Sequence, residues 1–363
     1  MTDRYRVYTK VKKTLKGMMK LDHQGQLVTL AMMITGIVMS RNAQLSVMSS
    51  EIPTETKEKS VEMRMRRWVK DEMDVEAVYL PFARQILEAL SHLPLVLVMD
   101  GSQAERGCMV LMIGVLYQRR ALPIAWLVYE GKKGHASAER HIQALEKVRP
   151  LLPDGSEVVL LGDAEYDTTE MLGWIEKNTA WKYVLRTSPQ IYVQTNEGSQ
   201  PIRNFPLKQD QLFYLKNVGF TQTATVTLHV IGWWGLDYEE PIFLITNLEN
   251  AYEACRYYRR RFRIETFFSD QKSRGFHIHK SHLANPARLS RLLIAACLAY
   301  IWMIMQGVRV IAEGKLSLID RTDRRDKSLF RLGLDWLKYA LKQRLDFQPL
   351  FHFQPLETFL HVR

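Results

Sequence analysis

A chain of 363 residues, 47% of them hydrophobic, has the apolar content for a sizeable core and the length for more than one domain. Its 50 Lys+Arg against 39 Asp+Glu leave a net charge of +11 and a pI near 9.4, which points to a polyanionic partner, nucleic acid before a membrane surface. Cys108, Cys255 and Cys297 lie far apart and form no CxxC pair, which argues against a disulfide framework and makes a reducing cytoplasm the expected compartment.

Residues 1–90 read as helical. Thr9–Met19 is basic (Lys10, Lys12, Lys13, Lys16), Leu27–Met39 is apolar, and Ser60–Glu72 carries Arg64, Arg66, Arg67 and Lys70 around Trp68. A polar connector with Pro53, Ser49–Lys59, separates the last two. Apolar helices alternating with basic ones suit a DNA-gripping module, although any one cluster reads equally as a solvated charged face. No helix-turn-helix signature names a recognition helix. Leu27–Met39 and Leu292–Met305 both fall short of the roughly 20 apolar residues of a membrane span and read as buried helices.

From Leu93 the pattern changes to strands. Leu95–Met99 runs into Asp100, and Cys108–Leu116 and Ala121–Val128 follow across a short polar link. Next come an amphipathic helix over Ala136–Leu151, a strand over Val158–Leu161 running into Gly162 and Asp163, a helix over Thr168–Asn178 and a strand over Trp181–Leu185. Three strands in succession, then alternating helices and strands, predict a mixed α/β sheet covered by helices, an order that matches a ribonuclease-H-like domain. Between Thr187 and Glu240 scattered turn formers and short alternating runs predict a small β insertion. Pro241–Thr246 is a strand, Ala251 opens a helix, and Asn285–Pro286 caps a long helix through Met305. An amphipathic helix through Phe330, Leu334, Leu337 and Leu341 closes the chain. The expected division is a basic helical module (1–90), a ribonuclease-H-like core (91–187 and 241–313), a β insertion (188–240) and a helical tail (314–363).

The stretch YYRRRFRIETFFSDQKSRGFHIHK, Tyr257 to Lys280, carries Tyr258, Arg261, Glu265 and Lys272 at separations of three, four and seven. On a single helix those steps return to one face, drifting only about 20° over the last seven, with Gly275 as a stop. Phenol, guanidinium, carboxylate and ammonium in one stripe suit a polyanion held against a metal ion. The same spacing is also that of a basic surface helix with an i,i+4 ion pair, and spacing alone does not choose.

Asp100 and Asp163 each close an apolar strand, where a side chain is displayed at a sheet rim. Each alone reads as a strand-end turn former. If the two strands are neighbours and the later helix brings Glu265, the three carboxylates need a shared cation, Mg²⁺ or Mn²⁺ on oxygen ligands. Two such ions about 3.5–4 Å apart would clamp the attacking and leaving oxygens of a phosphoryl transfer.

With these residues in view the chain resembles a DDE transposase of the bacterial insertion-sequence type, the group with the signature Y-(2)-R-(3)-E-(6)-K. The likeness is carried by Tyr258, Arg261, Glu265 and Lys272, by VLVMDGS around Asp100, by LLGDAEYD around Asp163, by the β insertion and by DRRDKSLFRLGLDWL in the tail. It covers roughly residues 60–345. After Asp163 this chain has Ala164, Glu165 and Tyr166 where an Asp-Arg-Gly-Phe-like string is more usual, which brings Glu165 and Asp167 in as further carboxylates near the metal. The resemblance implies Asp100, Asp163 and Glu265 as catalytic metal ligands and Tyr258, Arg261 and Lys272 as contacts to transposon-end phosphates. It also implies DNA as substrate, a dimer on paired ends and a bacterial, nucleoid-associated location. In hairpin-forming relatives an insertion-domain Trp stacks on a flipped base, a role open to Trp233 or Trp234, which read equally as filler of a small β core. His135, His141, His277 and His279 lack zinc-ligand spacing and read as phosphate-proximal or surface residues. The rivals are a nuclease or resolvase on the same fold and a non-catalytic DNA-binding descendant.

Overall fold

The computed structural model describes residues 2–19, 24–104, 107–132, 134, 136–223, 226–321 and 323–351; His135 and residues 352–363 of the tail lie outside them. Continuous apolar runs without alternation suit strands covered on both faces. They form β1 (Leu95–Gln103), β2 (Cys108–Tyr117) and β3 (Arg120–Glu130), and all ten residues of β2 are buried. These three are antiparallel neighbours, while β4 (Val158–Gly162) and β5 (Lys182–Arg186) add parallel strands on the other side of β1. The chain is thus a mixed α/β protein with a ribonuclease-H-like sheet flanked by helices.

The turn-rich segment continues this sheet. Its strands β6 (Tyr192–Thr195), β7 (Gly198–Pro201), β8 (Gln211–Phe220) and β9 (Val226–Trp234) join through β10 (Ile242–Thr246), which pairs antiparallel with both β5 and β9. The result is one ten-stranded sheet in the order β3-β2-β1-β4-β5-β10-β9-β8-β6-β7.

Before the sheet come α1 (Asp3–Met18), α2 (Gln24–Ser40), α3 (Leu45–Ser49), α4 (Glu58–Lys70) and α5 (Val75–Leu90). Within and after it come α6 (Ala138–Val148), α7 (Thr169–Asn178), α8 (Ala251–Tyr258), α9 (Arg263–Gln271), α10 (Pro286–Ala312) and α11 (Leu329–Lys342). Asn285 caps α10 by accepting the Arg288 N–H, with Pro286 where the first turn tolerates it. This helix is long and apolar enough to cross a membrane, but most of it is buried within the protein, against α2, α4, α5, α11 and β3. A Cβ on Gly333 would sit 1.9 Å from the Met303 carbonyl oxygen, so only glycine lets α11 approach α10 this closely.

Candidate active site

The parallel register of β1 on β4 pairs Leu97 with Leu160 and Val98 with Leu161; two residues further on stand Asp100 and Asp163. Their strands differ there. β4 ends at Gly162, whereas β1 runs on to Gln103 because β2 still pairs with it, Asp100 lying opposite Met112. Asp100 is therefore inside its strand, not at its end as the apolar run predicted, at the point where the β4 side has fallen away. It is 4% exposed, and its Oδ1 accepts the Gly101 N–H at 2.8 Å. Asp163 is half-buried and caps a 3-10 turn, its Oδ1 accepting the Glu165 N–H at 2.9 Å.

The signature does not lie on one helix. After Tyr258, the last residue of α8, the Arg260 and Arg261 N–H groups bond three residues back, to Tyr257 and Tyr258, each at 2.9 Å. These tighter turns break the i→i−4 ladder until α9 begins at Arg263. Arg261 thus sits in the break, Glu265 in the first turn of α9, and Lys272 just past its last residue, three positions before Gly275 would have stopped a longer helix. Gly275 serves the following loop: Phe276 N–H donates to the Asp270 carbonyl at 3.0 Å, and a Cβ on Gly275 would lie 2.0 Å from that oxygen.

This broken segment still brings its groups to β1. Arg261 places Nη1 3.8 Å from Asp100 Oδ2 and Nη2 2.5 Å from Glu265 Oε1, so one guanidinium stands between the two carboxylates. Burial works against its charge, and the pull of Tyr258, Asp100 and Glu265 more than offsets it, raising its pKa. Lys272 Nζ donates to Ser102 Oγ at 2.7 Å and to the Gln103 carbonyl at 2.5 Å. Tyr258 is buried; burial raises its pKa, with the charges of Arg261 and Arg186 opposing.

Tyr166 is a group the sequence did not single out, since a Tyr after a turn reads as ordinary core. It is fully buried, and its hydroxyl has no hydrogen-bond partner among the described residues. Burial, then the charges of Asp100, Glu165 and Asp163, raises its pKa and keeps it a neutral donor among carboxylates. A Cβ on Gly101 would lie 3.5 Å from that hydroxyl and 4.0 Å from Glu165 Oε2, so β1 and the turn after Asp163 are in direct contact.

Other carboxylates are engaged elsewhere: Asp167 accepts from Thr187 Oγ1 at 2.6 Å, and Asp270 pairs with Arg120 at 2.8 Å. His141, expected near phosphate or at the surface, is instead fully buried against Tyr166, because it falls on the inner face of α6; burial pushes its pKa down to about 4. Trp233 is also buried, its ring edge-on to Tyr238 and covered by the Arg259 guanidinium 4.7 Å from its centroid. Trp234 is half-buried, and its Nε1 donates to the Tyr238 carbonyl at 3.0 Å.

Among the described residues no group of three or more His, Cys, Asp or Glu side chains is gathered closely enough to hold a metal ion. The donor chemistry nonetheless fits a hard divalent cation. Asp100 and Glu265 already share one positive charge, and a buried hydroxyl lies near the acidic groups.

The site is thus a ribonuclease-H-like sheet with Asp100 and Asp163 in the register of neighbouring strands and Arg261 of the basic segment against Asp100. Residues 94–302, more than half of the chain, match the family model described as Transposase DDE domain, and the chain belongs to that family. It is a DDE transposase by family, and such enzymes generally use divalent metal ions. Among solved structures, a cryo-EM structure of the piggyBac transposase synaptic complex with hairpin DNA is similar at 11% identity and a TM-score of 0.43, covering 98% of this chain and 83% of that one. Nothing about this chain follows from a likeness of that size. No curated protein matches the chain.

Proposed function

We propose that the chain is a cut-and-paste transposase of the bacterial insertion-sequence group with the Y-(2)-R-(3)-E-(6)-K signature, acting in the cytoplasm on nucleoid DNA as a dimer on paired ends. Asp100, Asp163 and Glu265 are its catalytic carboxylates and hold Mg²⁺ or Mn²⁺, two ions in the full site. Tyr258, Arg261 and Lys272 hold phosphates of the transposon end. Residues 1–90 grip DNA, 91–187 with 241–313 cut it, 188–240 extend the sheet, and 314–363 form the tail.

One observation carries this reading: Arg261 stands between Asp100 on a core strand and Glu265 in the first turn of α9. Two carboxylates from distant parts of the chain thereby face one place where positive charge is stabilised. Bound divalent ions supply Lewis-acid charge to the oxygens of the scissile phosphodiester. To free the carboxylates as ligands Arg261 leaves them, and a DNA phosphate is the partner that a planar guanidinium then grips. Lys272, fixed at the end of β1 by Ser102 and Gln103, supplies a second cation close to the reacting strand. Water attacks first and frees a 3′-hydroxyl; that hydroxyl then attacks the opposite strand or target DNA, with no covalent protein–DNA intermediate.

The test is incubation with Mg²⁺ and the DNA flanking the protein's own reading frame, watching for cleaved and joined products. Asp100→Ala, Asp163→Ala and Glu265→Ala each lose both products while retaining DNA binding. Full cleavage by Glu265→Ala would remove that residue from the site and move the search to Glu165.

A further inference from the structure

Four arginines fall within five positions, Arg259, Arg260, Arg261 and Arg263, and the break between α8 and α9 sends them to different places. Arg259 covers Trp233, and Arg261 reaches Asp100 and Glu265. Arg260 and Arg263 instead line a cavity of about 440 Å³ beside Leu93, Pro94 and Leu95 at the start of β1, with Leu116 and Tyr117 at the end of β2.

This cavity is short of negative charge. Burial, then the charges of Arg260 and of Arg119 on the β2–β3 turn, pushes the Arg263 guanidinium down to about 10. Its Nε is buried with no hydrogen-bond partner among the described residues. Arg325 faces Arg119 and Arg120 as well, with Asp320 beside it. The nearby Asp270 is taken by Arg120 at 2.8 Å, and Glu253 and Glu157 both face Tyr257. Among the described residues no carboxylate pairs with Arg119, Arg260 or Arg263; the contact of Arg260 is with the Tyr257 ring, 5.8 Å from its centroid. Guanidiniums brought together and partly dehydrated cost stability until an anion joins them. Phosphate oxygens match their fork geometry, and Leu93, Pro94 and Leu116 offer a sugar an apolar wall.

We infer that Arg260 and Arg263, with the exposed Arg119 that follows the lining residue Gln118, form a second phosphate site, which holds the backbone of bound DNA away from the acidic residues. The inference rests on the reading of DNA as substrate and deepens it. From Leu95 to Asp100 is five residues of strand, about 17 Å at roughly 3.3 Å per residue. That is about five steps of a DNA strand at 3.4 Å each. A duplex presenting one phosphodiester to Asp100 carries others at that separation.

The experiment uses the full chain, a mixed-sequence DNA duplex and, separately, inorganic phosphate. For wild type, Arg119→Gln and the double variant Arg260→Gln/Arg263→Gln, affinity is measured across a salt series and melting temperature without DNA. Each lost phosphate contact should flatten the slope of log affinity against log salt by about 0.9. The double variant should melt no lower than wild type, because repulsion is relieved. An unchanged slope in both variants overturns the inference, as does a double variant that melts well below wild type while keeping its slope. If inorganic phosphate raises the wild-type melting temperature but the DNA slope is the same in all three proteins, the site takes a free anion and the DNA assignment is wrong. Failure of wild type to cleave DNA with the flattened slope intact would instead count against the transposition reading alone.

Discussion

Arg261 is the residue on which the chemistry of the site turns. Its guanidinium neutralises Asp100 and Glu265 where a divalent ion would do the same, so the two cations compete for one pair of carboxylates. Arg261→Gln should therefore bind Mn²⁺ more tightly than wild type without DNA, read by electron paramagnetic resonance of the free ion, while losing joined products. Equal Mn²⁺ affinity in the two proteins would mean that the ion pair is not in the way. The Arg120–Asp270 pair is of another kind. The short contact favours the ionised carboxylate, yet burial outweighs it and raises the Asp270 pKa from the ordinary 3.8 to about 6. Desolvation commonly exceeds the attraction within a buried pair. A carboxyl with a raised folded-state pKa contributes stability that is full below pH 4 and is lost as pH rises through about 6. Asp270→Asn should flatten melting temperature against pH in that window. Arg120→Met, which strands the buried carboxylate, should cost about 3–5 kcal/mol near neutral pH in a denaturant titration.

At the scale of elements, the break between α8 and α9 and the loop after α9 decide where the signature cations go. Lys272 is placed by the end of its helix, and the loop behind it closes through Phe276 on the Asp270 carbonyl over Gly275. Lys272→Ala should still nick but fail to join pre-cut ends, because a cut end is held only by contacts that survive cleavage. Wild-type joining at unchanged protein concentration would return the segment to a basic surface helix whose charges are worth about 1 kcal/mol or less. Gly275→Ala should impair joining too, through a lowered melting temperature. Gly173→Ala is its control, since a Cβ there meets nothing within 4 Å.

For the whole molecule, the positive excess is spread over distant patches. Arg64, Arg67 and Lys70 of α4 border an open groove of about 620 Å³ with Thr29 and Trp68. On α1, Lys13 and Lys16 are exposed and Lys12 is half-buried, while Val7, Val11 and Leu15 face inward. DNA affinity should fall steeply with salt, and neutralising Lys12, Lys13 and Lys16 together should flatten the slope by up to about 0.9 per lysine that meets a phosphate. A slope identical to wild type would make α1 a solvated face.

Periodicity and strand-length apolar runs were enough for the sequence by itself to determine β1 to β5, the long buried α10 and the amphipathic α11, because those patterns record which side chains leave water. It offered Asp100 and Asp163 as a converging pair only if their strands were neighbours, and the parallel register of β1 on β4 is what makes them so. Spacing alone put Tyr258, Arg261, Glu265 and Lys272 on one helix. The break at Arg259–Phe262 comes from turn bonds among polar residues that leave no mark on hydrophobic periodicity. Only the tertiary structure decided that Arg261 lies between two carboxylates, that Tyr166 is buried near three of them, that Arg263 faces the charge of Arg119, and that the turn-rich segment continues the sheet through β10. Each of these is a meeting of residues far apart in the chain, set by which faces pack together and not by the order in which they are written.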